Sequence, residues 1–296
     1  MNKNSSVNRG TGLLIIEVRN SNPNGDPDAE SEPRTVDSDG RGIISPVSYK
    51  RKLRDLISDS EGALLQEATK QLGLLQDKKY EILETRGRNR QAIGKMDEES
   101  FLNTYWDARV FGNTFLESLT AEEKKKGGKD HFISTGTVQF GVGVSVAPVE
   151  IERLTTTNKA GVEENKDRGM APLGFRVVRH AVYVMPFFVN GTRAARTQCG
   201  PDDIELLKFA IPHAYRNTAS AIRPFVEIRH AWYAEHKSPL GSCPDSLILD
   251  SLQPKKTKGD PSEASISIDD YEIPVNLTED ILARLHSFED LNLKES

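Results

Sequence analysis

Four cations crowd into six residues at Tyr49-Lys50-Arg51-Lys52-Leu53-Arg54, and no acid interrupts them until Asp55. A cluster of this kind neutralises phosphates, because each contact releases condensed counterions. A merely solvated helix face mixes in acids one turn away, and here they are missing. A second group of polar residues stands upstream, in Asn22-Pro23-Asn24-Gly25-Asp26-Pro27-Asp28. Its alternate oxygens look superficially like a calcium loop, but the Gly at the sixth place and the Glu at the twelfth are absent. Two readings remain for it. Its Asn and Asp side chains bond their own backbone in a turn-rich loop, or Asn22 and Asn24 hold the phosphates or sugars of an RNA.

Catalytic patterns are scarce. The six histidines are scattered, with no HxxxH or HExxH spacing, and His230 and His236 read as structural. Neither GxSxG nor GxxxxGK[ST] occurs, which removes the serine-hydrolase elbow and the P-loop. Gly141 and Gly143 fall inside a strand pattern, not at a strand-to-helix turn, so a dinucleotide loop is unsupported. The two cysteines, Cys199 and Cys243, lack CxxC spacing, which argues against a disulfide framework or a zinc site and fits a reducing cytoplasm. No catalytic residue, metal or cofactor is expected. No run approaches the roughly 20 apolar residues of a membrane span, and Met1–Gly10 lacks the apolar core of a secretory signal.

The net charge of −5 argues against nucleic-acid binding until its distribution is mapped. Arg41–Arg54 holds five basic residues, Thr85–Met96 four and Arg168–Pro201 five arginines, all without an acid. Six acids gather between Asp26 and Asp39, and more follow Gly259. Such segregation lets an acidic chain present a basic groove. It also suggests that acidic surfaces of one copy pack against basic surfaces of the next.

These groups need elements to position them. Residues 12–20, GLLIIEVRN, are a central strand. Ser45 is an N-cap and Pro46 suits the first helical position, so SPVSYKRKLRDLIS is a helix with Tyr49, Leu53, Leu56 and Ile57 on one face and Lys50 and Arg54 at its edge. Residues 60–130 read as a mixed, largely helical insertion. In TVQFGVGVSVAPV, Val138, Phe140, Val142, Val144 and Val146 are expected to be buried. Gln139, Gly141, Gly143 and Ser145 would line a bare face open to another backbone or a nucleic acid. A long polar hairpin follows at 150–175, with apolar Leu154, Met170 and Leu173 able to wedge between bases. Then come a strand at RVVRHAVYVMPFFV, a helix capped by Asp202 and kinked by Pro212, and a last strand at PFVEIRHAWYAEH. The tail beyond Lys255 is polar, with weak signals near Ile266 and Leu282. Without its insertions the order is β-α-β-β-α-β, the ferredoxin-like pattern of an α+β protein, shared with RNA-recognition modules that use an open sheet face.

At this point the segment NSNPNGDPDAESEPRTVDSDGRGIISPVSYKRKLRDLI resembles the start of the backbone subunit of the type I CRISPR Cascade complex, the Cas seven family of the RAMP superfamily, closest to its I-C and I-B branches. The matching pieces are Asn22–Ala29, Pro33–Arg34, Asp37–Arg41 and Lys50–Arg54, followed by YWDARVFGNTF, GTVQFGVGVSVAPVEIERL, NTASAIRP and EHKSPLGSCP. The resemblance implies one hand-shaped domain. Its ferredoxin-like (RRM-like) palm would span 11–58, 131–149 and 178–250, its helical fingers about 59–130, its β-hairpin thumb about 150–177, and a C-terminal tail 251–296. It implies RNA contacts by Asn22, Asn24, Ser48, Lys50, Arg51, Arg54 and Arg223, with Leu154 and Met170 as the thumb wedge. The implied partners are guide RNA (crRNA), target DNA through the guide, further copies of the chain and other Cascade subunits. A type III-like relative would instead cut target RNA through Asp37. Reversing Lys50 and Arg54 together is expected to abolish RNA loading and spare the fold.

Overall fold

Nine consecutive residues, Gly10 to Val18, are buried, so the strand they form needs cover on both faces and neighbours on both edges. The computed structural model, which describes residues 6–58, 62–74, 79–85, 88–116, 131–158 and 171–292, supplies both. Strand β1 (Gly10–Ser21) leads into a two-residue ladder of β2 (Gly25–Asp26) with β3 (Glu32–Pro33), then β4 (Arg41–Ile44) and helix α1 (Pro46–Ser58). The insertion contains α2 (Ala63–Leu72), α3 (Arg90–Gly94), α4 (Glu98–Thr104) and α5 (Trp106–Phe111), and a hairpin of β5 (Gly112–Leu116) with β6 (His131–Thr135) closes it. Next come β7 (Val138–Phe140), β8 (Gly143–Pro148), β9 (Ile151–Asn158), the 19-residue β10 (Ala171–Val189), α6 (Gly191–Thr197), α7 (Pro201–Ala210) and β11 (Phe225–His236). The chain ends in α8 (Asp245–Ser251), a short ladder of β12 (Lys255–Lys256) with β13 (Tyr271–Glu272), α9 (Glu279–Leu282) and β14 (Leu285–Asp290).

The main sheet is antiparallel, in the order β14-β11-β1-β10-β8-β4, with β7 and β9 also paired to β10. The elements read from the sequence follow in order as β1, α1, β7 with β8, β10, α7 and β11, the single strand expected over 137–149 being split into β7 and β8. The polar hairpin is real too: β9 pairs with the first half of β10 from Ile151↔Val178 to Asn158↔Ala171.

Alternation along β1 sends Leu14, Ile16 and Val18 to one side, against Tyr49, Leu53 and Ile57 of α1 and Leu207 of α7. Leu13 and Ile15 face the other side, and here the structure departs from expectation. That face is not open. Ile248 of α8 and Leu252 just after it, with Tyr271, Ile281 and Leu285, cover Leu13, Ile15, Val182 and Trp232 in a second apolar cluster. The apolar residues of the C-terminal region are too sparse to show a period, yet these five reach the sheet. Replacing Ile248, which is 1% exposed, with Ala is expected to cost about 2–3 kcal/mol in a urea melt, as for other large-to-small core changes.

Three smaller expectations are also corrected. The alternation of 138–146 changes phase at Gly141: Val142 is 48% exposed and Ser145 fully buried. Ser145 Oγ accepts from Gly42 N and donates to the Ala147 carbonyl, so the supposedly bare face is closed by β4. Helix α7 is capped at Gly200, whose N–H is accepted by Asp203, not by Asp202. Pro212 does not kink that helix but ends it, because Ile211–His213 is a 3-10 turn.

Candidate nucleic-acid interface

The head of α1 is tied down by its own side chains. Ser45 Oγ accepts the Ser48 N–H at 3.2 Å, as an N-cap should. Asn24 Oδ1 reaches back from the loop after β1 to accept the Ser45 N–H at 2.7 Å. Burial of Tyr49, Leu53, Leu56 and Ile57 then fixes the helix rotation. Asn22 is also a loop organiser: its Nδ2 donates to the carbonyls of Ser31 and Arg176, and Arg223 Nε donates to the Asn22 carbonyl at 2.9 Å. Asp26 Oδ1 accepts from Asp28 N. The turn reading of this loop therefore holds.

An open groove of about 800 Å³ runs beside the helix head. Asn24, Arg34, Ser48, Arg51 and Arg54 line it from the segment between β1 and the end of α1, and Phe111, Asn113, Thr114, Ser134, Thr135 and Gln139 line it from α5, the β5–β6 ladder and β7. Most of these are hydrogen-bonding groups of the kind that line phosphate-sugar paths.

The cations are not equivalent. Arg54 Nε bonds Asp107 Oδ2 at 2.8 Å, and Asp107 is 1% exposed. Asp107 also accepts the N–H groups of Leu83 and Glu84, so Arg54 belongs to a structural knot. Arg51 is about half exposed, paired with Asp55 one turn on and donating to the Glu84 carbonyl at 2.9 Å. Lys50 lies at the groove edge, 5.4 Å from the Phe111 ring centroid; burial and the nearby charge of Arg54 lower its pKa. Among the described residues no carboxylate pairs with Lys50 or Lys52.

The structure thus gathers Asn24, Ser48, Arg51 and Arg54 in one groove, with Lys50 at its rim. Asn22 and Arg223 sit behind the loop, outside the lining. Leu154 is on β9, 38% exposed, and Met170 lies outside the described residues. Asp37 is exposed at the turn between Val36 and Gly40, away from the lining. Sequence reasoning gave no site role to Arg34, Asn113 or Gln139, although Arg34 and Asn113 fall within the matching pieces of the resemblance and Gln139 was the polar partner in a strand alternation. Four of the six acids of the 26–39 loop pair within the chain, Asp26 with Arg34, Asp39 with Arg41, and Glu30 and Glu32 with Arg176. His230 stacks on Trp232 and bonds Asp290, and His236 bonds Thr11 and Ser242. Among the described residues no His, Cys, Asp and Glu cluster is arranged for a metal ion, and no helix is long and apolar enough to cross a membrane.

The chain is thus a mixed α+β protein with a cation-lined polar groove at the head of its first helix. The profile of the family "CRISPR-associated protein Cas7" matches residues 8–276, and the chain belongs to that family. A CRISPR-associated protein Cas7 of Haloferax volcanii is 25% identical over 231 residues, covering 73% of this chain and 67% of that one. Among solved structures, a chain of a CRISPR RNA-guided surveillance complex is 17% identical, with a TM-score of 0.43, over 76% of this chain and 68% of its own. A chain of such a complex in a pre-nicking state is 15% identical, with a TM-score of 0.45, over 76% and 78%. A chain of a type III-B Cmr-beta complex bound to cognate target RNA is 11% identical, with a TM-score of 0.38, over 77% and 61%.

Proposed function

We propose that this chain is a guide-RNA-binding backbone subunit of a type I Cascade surveillance complex, of the I-C/I-B branch. Copies would polymerise along one crRNA in the cytoplasm and present it for pairing with target DNA, beside other Cascade subunits. Pairing would then supply sequence specificity while the protein reads backbone and shape. The observation that carries this reading is the convergence of Asn24, Ser48 and Arg51, with Lys50 at the rim, on one groove in a member of the Cas7 family. In this reading β1, α1, β8, β10, α7 and β11 form a ferredoxin-like palm. The 59–130 insertion forms the fingers, and the β9–β10 hairpin forms a thumb with Leu154 and Met170 as its wedge.

The role is binding without cleavage. Asp37 stands exposed on a turn outside the groove. RNA that co-purifies with the protein is expected, on sequencing, to carry a constant repeat-derived handle joined to variable spacers. Random cellular RNA, or none, would overturn the proposal. Cuts in complementary RNA that vanish in Asp37→Ala would replace it with the type III-like reading.

A further inference from the structure

The groove is chemically two-sided. Every cation that lines it comes from the segment between β1 and the end of α1. The side built from α5, the β5–β6 ladder and β7 contributes no charged residue at all. That side is held rigidly. Gly112, at a φ of +79°, and Gly136 meet backbone to backbone at the end of the ladder, and a Cβ on either would overlap the other. The ladder register sets Asn113 opposite Ser134, and Asn113 Nδ2 donates to Ser134 Oγ at 3.2 Å. Ser134 therefore keeps its own O–H to give, and among the described residues nothing accepts it. Thr114 and Thr135 are exposed, and among the described residues their hydroxyls bond nothing. Gln139 stands between the buried Val138 and Phe140 of β7. Its Nε2 donates to the Gly136 carbonyl at 3.3 Å, which leaves Oε1 as an acceptor without a partner among the described residues.

Neutral groups that both give and accept hydrogen bonds match a hydroxyl better than a phosphate, which only accepts and is held most strongly by cations. They are also poorly suited to hold a base, because single-strand base binding leans on an open aromatic face. Phe111 is the one aromatic in the lining, and it is 6% exposed. Lys50 and Arg54 lie 5.4 and 5.2 Å from its ring centroid. It offers no stacking platform. With the phosphates of a strand drawn to the cationic side, the sugar is the group left to face the neutral one. We infer that Thr114, Ser134, Thr135 and Gln139 bond ribose 2′-hydroxyls of the bound strand and make the groove select RNA over DNA.

This rests on the RNA-binding reading and adds to it a discrimination that charge cannot supply. A DNA strand carries the same phosphates and lacks only the 2′-hydroxyl, which both donates and accepts. Bonds of this kind leave the base edges untouched, as a strand presented for pairing requires. They release no counterions, so they add affinity without adding salt dependence.

The test titrates the full chain with labelled oligoadenylate, oligouridylate and oligodeoxyadenylate of one length. A neutral hydrogen bond is worth about 2- to 12-fold in affinity, so wild type is expected to hold either RNA about 10-fold or more tighter than the DNA. The triple variant Thr114→Val, Ser134→Ala, Thr135→Val should lose about 10-fold on both RNAs and nothing on the DNA, with its salt slope unchanged. Gln139→Met should act the same way by about 2- to 12-fold. Thr114→Val with Thr135→Val alters only exposed hydroxyls, so it should melt with wild type and still lose part of the preference. That pair keeps the test valid if the Ser134 change disturbs Asn113. Equal wild-type affinity for RNA and DNA overturns the inference, as does an equal loss on both in the triple variant. A loss confined to one of the two RNAs would mean that these residues read bases, and overturns it too. Absence of binding by wild type to any of the three strands overturns the RNA-binding reading and this one with it.

Discussion

Arg109→Met and Asp203→Asn are each expected to cost about 3–5 kcal/mol in equilibrium unfolding, the penalty for breaking a buried ion pair and stranding its partner. Both side chains are fully buried. Arg109 Nε bonds both carboxylate oxygens of Asp203 at 3.1 Å, and Nη2 bonds Oδ1 at 2.7 Å. The remaining donors reach the backbone carbonyls of Leu102, Asn103 and Lys79. One guanidinium therefore joins three points of the 59–130 insertion to α7. Asp203 works in both directions, because it also accepts the Gly200 N–H that caps α7, at 2.8 Å. Its backbone carbonyl accepts Trp106 Nε1 at 3.2 Å. Against a typical total of about 5–15 kcal/mol, either loss leaves a protein that melts near working temperature. The double variant Arg109→Met with Asp203→Asn should lose less than the sum of the singles, since neither charge is then left unpaired. A single variant that loses less than about 1 kcal/mol, or fully additive losses, would show that the pair is not the clamp this geometry describes.

This clamp also shows where sequence reading stops. The motif containing Trp106, Asp107 and Arg109 stood out by resemblance, but nothing local assigns it a task. Its partner is 94 residues away, and a long-range ion pair leaves no periodicity. The elements that were legible have their causes within a few residues. Ser45 and Pro46 start α1, four apolar positions set its rotation, and an unbroken apolar run makes β1 central. The cover of the second sheet face was illegible because Ile248, Leu252, Tyr271 and Ile281 are spread through a polar segment. The phase change at Gly141 was hidden because a glycine gives an alternation count no side chain to place. In the site, type and spacing found the cations but not their partners. Sequence placed Lys50 and Arg54 together at the helix edge, and both do lie over the Phe111 ring, at 5.4 and 5.2 Å. It could not show that Arg54 belongs to Asp107.

That difference decides how the groove must be tested, and Lys50→Glu with Arg51→Glu is the variant expected to separate binding from folding. The pair suggested by sequence alone, Lys50 with Arg54, does not separate them. Arg54→Glu would place a carboxylate against Asp107, which is 1% exposed and holds the N–H groups of Leu83 and Glu84. Repulsion there would loosen the insertion, and lost RNA binding would follow from lost structure. Arg51 has only a half-exposed pair with Asp55 and one bond to a carbonyl to lose, contacts worth about 0.3–0.5 kcal/mol for the ion pair. A Glu at position 50 stands one turn before Arg54, the favourable order for a helical pair, so the half-buried change has local compensation. The double variant should therefore unfold within about 1 kcal/mol of wild type. Its RNA affinity should fall by about 100-fold or more, since two charge-assisted hydrogen bonds are each worth about 1.5–3 kcal/mol. Its salt slope should fall by about 1.4, two contacts' worth on a single strand. Undiminished binding by a folded Lys50→Glu, Arg51→Glu protein would move the RNA path off this groove. Loss of affinity at an unchanged salt slope would mean that these residues position the loop and do not touch phosphate.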